Sequence, residues 1–205
     1  MPGAGNSKAF AITSFLASAS MLLEFIRQVS RLAKAITEPS NNSTAFFVLL
    51  VLISLFSLGA CFYFAFFTFS FGKTSYDLKQ LGALHFLPIL WAGARVVYLI
   101  YEGESPVGNR QLALKYALLS VMLIYFYFYV SRILDVKKSE RINEICSFIL
   151  TGISLMYFIQ SVIFIAEGKC ELLDSNVILA ASSLLICPFA LVFKRDYISE
   201  KENGE

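Results

Sequence analysis

Arg95 is the most deeply placed charge in any strongly hydrophobic run of this chain. It sits in Leu81–Glu102, LGALHFLPILWAGARVVYLIYE, with the only tryptophan (Trp91), the only histidine (His85) and a proline, Pro88. A charge inside such a segment is expensive and marks a candidate site. On a helix Arg95 shares a face with Trp91, Tyr98 and, two turns on, Glu102. A guanidinium there can hold an anionic headgroup or substrate, with the rings adding cation–π contact. The plainer reading is snorkelling, since the interface is roughly 10 Å away along the helix and an arginine stem covers much of that. His85 lies on a different face near the start of the segment, where an interfacial hydrogen bond suffices. As a proton relay it would want an intramembrane carboxylate, and no strongly apolar span supplies one.

Other chemistry is missing. One histidine rules out HExxH and multi-histidine metal sites. There is no GxSxG, no glycine-rich phosphate loop and no pair of intramembrane aspartates. Cys61, Cys146, Cys170 and Cys187 form no CxxC, so they read as free thiols without a metal, Cys170 alone in a loop. No cofactor is expected.

The elements that must position Arg95 are membrane spans. Hydrophobic residues make up 57% of the chain, charged residues 16%, and the mean hydropathy is +0.67. A soluble domain carries about a quarter charged side chains. Here the charges cluster between long apolar runs, and 205 residues leave room for five or six helices. The net charge of +2 and the lack of a basic stripe argue against nucleic acid. The reading is an all-α polytopic transmembrane bundle, one integral membrane domain over 1–205. Its helices are expected at about 9–29, 44–71, 81–101, 112–134, 145–166 and 176–193. Met1–Ser7 has no basic residue, and no cleavable signal is expected.

The first helix is the ambiguous one. Phe15, Ala19, Leu22, Ile26, Val29, Ala33 and Ile36 form an apolar stripe, with Glu24, Arg27, Gln28, Arg31 and Lys34 opposite. That pattern fits a span emerging into the headgroups or a helix lying on the membrane. Glu24 and Arg27, three apart, can neutralise each other. Ala9, Thr13 and Ala17, with Ser14 and Ser18, are small residues at four-residue spacing, suited to close helix packing or to docking a partner. Pro88 is expected to free a carbonyl near Leu84 and to kink its helix. Asn41-Asn42-Ser43-Thr44 contains overlapping glycosylation acceptor sequences of low specificity.

Alternating spans place ten lysines and arginines on the side of the C-terminus and six on the other. The positive-inside bias therefore predicts a cytoplasmic C-terminus. Arg27, Arg31 and Lys34 are discordant and keep a five-span topology open.

Leu87, Pro88, Trp91 and Arg95 match a Leu-Pro-x-x-Trp pattern closely followed by arginine. With the spans around it, over roughly residues 45–195, the chain resembles a group of uncharacterised polytopic membrane proteins of clostridia-like Gram-positive bacteria. The resemblance implies a helical membrane fold and no known activity. The expected function is a non-enzymatic structural, accessory or transport-associated membrane component. A substrate-binding subunit of a vitamin or metal importer and a lipid-modifying enzyme are the alternatives. The expected partners are the lipid bilayer and a membrane protein or a second copy of this chain.

Overall fold

A computed structural model describes residues 8–37, 44–69, 78–101, 110–133, 139–168 and 177–190. The described residues are all-helical, as the hydropathy pattern implies, and carry no strand. Helix α1 spans Lys8–Thr37, α2 Thr44–Phe69, α3 Leu87–Tyr101, α4 Arg110–Ile133 and α5 Ser139–Ala166. A shorter apolar helix, α6, covers Val177–Ala190. Five segments are long and apolar enough to cross a bilayer: α1, α2, Gly82–Tyr101, α4 and Arg141–Ala166. This is the pattern of a multi-pass membrane protein.

Helix α2 is the middle of one half of the bundle, packed on α1 on one side and α3 on the other, while α4 joins α3 to α5. Its inward face recurs at helical spacing: Leu50, Ile53, Ser57, Ala60, Phe64 and Phe67 are buried. Phe189 of α6 stitches three helices together, its ring 5.6 Å from Phe10, 5.0 Å from Phe64 and 5.7 Å from Tyr129. Such ring pairs add about 0.5–1.5 kcal/mol each beyond their area. In the bilayer that packing term matters more than usual, because lipid tails are as apolar as the core.

Helix α1 reverses the expected arrangement. It runs 30 residues, eight past the expected end at 29, or about 45 Å. Its apolar stripe faces outward, with Phe15 59%, Ile26 55% and Ile36 66% exposed, while Glu24, Arg27 and Gln28 are buried. A helix lying on a membrane would place those polar side chains in water. An outward apolar face and an inward polar face is the arrangement of a span surrounded by hydrocarbon. The small residues serve internal packing: Thr13, Ser14, Ala17 and Ser18 are buried, and Ser18 Oγ donates to the Cys61 carbonyl of α2 at 3.0 Å.

The Leu81–Glu102 stretch is not one helix with a mid-segment kink. Leu78–Phe86 forms a 3-10 segment broken at Gly82, whose φ of 46° and ψ of −118° a side-chain-bearing residue rarely adopts. Helix α3 then starts at Leu87, which puts Pro88 in its first turn. There the missing N–H has no intrahelical acceptor to lose and the fixed φ suits the helix. Close approach of the two segments falls at Gly59 of α2, where a Cβ would stand 3.0 Å from the Leu87 side chain.

Candidate functional site

Helix α3 places Trp91, Arg95 and Tyr98 on its buried face, with relative exposures of 0%, 2% and 4%. Opposite them, α1 presents Glu24, Arg27, Gln28 and Arg31, which the three- and four-residue spacing stacks on one side of the helix. Arg95 Nε lies 3.2 Å from Glu24 Oε1, an ion pair between two side chains essentially closed to solvent. Arg27 Nη1 donates to Glu24 Oε2 at 3.0 Å, and Gln28 Nε2 to Glu24 Oε1 at 2.8 Å. One turn on, Arg31 Nη1 donates to the Tyr98 hydroxyl at 3.3 Å. Arg31 and Arg95 both approach the Tyr98 ring, at 5.9 and 6.0 Å from its centroid.

Arg95 therefore does not snorkel. It turns inward onto a carboxylate of the first helix, so the bundle rather than the headgroups supplies its counter-charge. The pairing of Glu24 with Arg27 is as their spacing implies. Glu102, the other acid suggested for Arg95, lies outside the described residues, as does Cys170.

Glu24 is the only acidic side chain among the described residues of α1 to α4. Its single charge is shared by two buried guanidiniums, with Arg31 a turn away. Donors also outnumber acceptors: Arg95 Nη2 and Trp91 Nε1 are buried and have no hydrogen-bond partner. Buried polar groups are nearly always satisfied, and the exceptions call for a physical account. The chemistry this arrangement can do is to receive an oxygen-bearing anion at the end of an arginine fork.

His85 belongs to a different site. It is 1% exposed rather than interfacial, and its Nδ1 is hydrogen-bonded to the Tyr63 hydroxyl at 2.7 Å. The same hydroxyl meets that of Tyr129 at 2.9 Å. This chain ties α2, the 3-10 segment and α4 together. On its outer side Tyr63 borders an apolar groove of about 500 Å³, walled by Gly59, Phe62, Phe66, Leu84 and Leu87. The structure thus gathers Arg95, Trp91 and Tyr98 into one site and leaves His85 out of it.

Nothing among the described residues groups three histidine, cysteine, aspartate or glutamate side chains as metal ligands. Sequence reasoning missed Glu24, Gln28 and Arg31 as partners of α3. One signal was available: Glu24 is the lone acid and Arg95 the lone deep base of two separate apolar helices, and such charges seek each other. No comparable signal marked Tyr63 and Tyr129. Compared with models of known families, with curated proteins and with solved structures, the chain matches none.

Proposed function

We propose that this protein is a non-enzymatic, accessory or transport-associated membrane component that engages an anionic group between α1 and α3. The observation that carries the reading is the sharing of Glu24 by Arg27 and Arg95 inside the bundle. A purely structural ion pair would balance its charges, because a buried ion without a counter-charge is costly. Here positive charge and unmet donors remain on the side of α3. The lipid bilayer surrounds the protein, and the outward apolar faces leave room for a membrane partner or a second copy.

The test is a melting series on purified protein in detergent micelles at matched ionic strength. Acetate, sulfate, phosphate and an anionic phospholipid are compared with chloride. A ligand of the folded state raises the midpoint in proportion to RT ln(1 + [L]/Kd). At least one of these anions should raise it by several degrees over chloride, and Arg95→Leu should remove the difference. Identical midpoints across the series would sink the reading.

The C-terminus is proposed to face the cytoplasm. The basic residues that opposed this orientation include Arg27 and Arg31, which face Glu24 and Tyr98 within the bundle rather than a loop. Lys34, Arg110, Lys115 and Lys169 remain on that side against ten on the other. A reporter active only in the cytoplasm, fused after Glu205, should be active; a well-expressed but silent fusion overturns the orientation.

A further inference from the structure

We infer that Arg95 Nη2 and Trp91 Nε1 together hold a phosphate group, carried either by a phospholipid or by free phosphate. The inference rests on the anion reading of the α1–α3 cluster and narrows it to one chemistry. Both donors are buried, both lack a partner, and they stand four residues apart on one face of α3. Neither can be met by Glu24. Its Oε1 already accepts from Gln28 and faces Arg95 Nε, and its Oε2 accepts from Arg27.

The shape of the donor set favours phosphate over carboxylate. Arg95 Nη2 offers two N–H bonds at the tip of a planar fork, and the indole offers one more from the preceding turn. A carboxylate presents two oxygens in one plane and suits a single fork. A phosphate presents its oxygens tetrahedrally, so it accepts from donors that converge from different turns. Charge agrees. Glu24 supplies one negative charge to Arg27 and Arg95 jointly, leaving a surplus that even a singly charged phosphodiester offsets.

Depth agrees as well. Arg95 lies six residues before the end of α3 at Tyr101, about 9 Å of helix. A headgroup phosphate drawn down beside α3, or a phosphate ion entering with water from that end, has a short path. Arg31 and the Tyr98 ring lie on that path, one turn nearer the end, and would meet the anion before Arg95 does.

The experiment uses the full chain in detergent micelles and two matched pairs of probes. Inorganic phosphate is compared with acetate, and phosphatidylglycerol with oleate, by equilibrium binding at constant ionic strength. A phosphate-bearing probe should bind at least tenfold tighter than its carboxylate counterpart. A preference seen only with phosphatidylglycerol assigns the site to a lipid headgroup, and one seen only with inorganic phosphate assigns it to a solute. Trp91→Phe keeps the ring and deletes the N–H, and should weaken that binding about tenfold with little change in the ligand-free melting midpoint. Arg95→Lys keeps a charge for Glu24 but deletes the fork, and should weaken it further.

Equal binding of carboxylate and phosphate probes overturns the phosphate assignment while leaving the anion reading standing. No binding of any probe removes both. Phosphate binding unchanged in Trp91→Phe and Arg95→Lys places the anion elsewhere and overturns the inference.

Discussion

Two polar networks are buried in this bundle, and they are built on opposite principles. Tyr63, His85 and Tyr129 carry no fixed charge, and their hydrogen bonds close on one another between three segments. Glu24, Arg27, Arg95 and Trp91 carry net positive charge, and two of their donors meet nothing. The neutral network behaves as a rivet, costing little to bury once its bonds are made. The charged one is expensive to bury and incomplete as it stands. In a membrane, where a charge on an apolar helix is seldom retained without use, that contrast distinguishes a working site from a fastening.

The comparison breaks most readily at Glu24. Glu24→Ala removes the carboxylate shared by Arg27 and Arg95 and leaves both guanidiniums without it in the interior. Removing one partner of a buried ion pair typically costs about 3–5 kcal/mol. The expected outcome is a sharp fall in folded yield and in melting midpoint, read by size-exclusion profile and thermal unfolding in detergent. A variant as stable as the parent would mean that water or headgroups already solvate the cluster.

A smaller effect is expected at the neutral network. Tyr63→Phe keeps the ring and deletes the hydroxyl that joins His85 to Tyr129, so each of those loses one bond. Leaving such buried groups unmet costs about 1–3 kcal/mol. The midpoint should fall by less than in Glu24→Ala, and the midpoint rise produced by anions should be unchanged. If Tyr63→Phe abolished the anion effect, the two networks would be coupled and the division between rivet and site would fail.

Much of the fold was legible because hydrocarbon imposes a simple rule: an apolar run of some twenty residues becomes a helix. Helices α2, α4 and α5 follow from that rule alone. The orientation of α1 was not legible in the same way. Its stripe of Phe15, Leu22, Ile26 and Val29 is amphipathic in either solvent, and only packing tells which face turns in. The break at Gly82 was hidden because a run of apolar residues contains no signal for φ, and Pro88 marks a helix start as readily as a kink. For the site, Arg95, Trp91 and Tyr98 were visible as one face of one helix. Their partners were not, because the approach of α1 to α3 is a tertiary fact between residues far apart in the chain.

That separation bears on how the protein is made. About seventy residues of synthesis lie between Glu24 and Arg95. At a ribosome's pace of roughly 5–20 residues per second, the first helix waits some 4 to 14 seconds for the third. During that interval Arg27 and Gln28, on the same helix, are enough to attend the carboxylate. Helix α1 therefore leaves the insertion machinery carrying its own first counter-charge. Neither α2 nor α3 has an acid to offer Arg95. Its integration draws on a carboxylate already waiting in the bilayer, and the order of helices along the message supplies the partner before the residue that needs it.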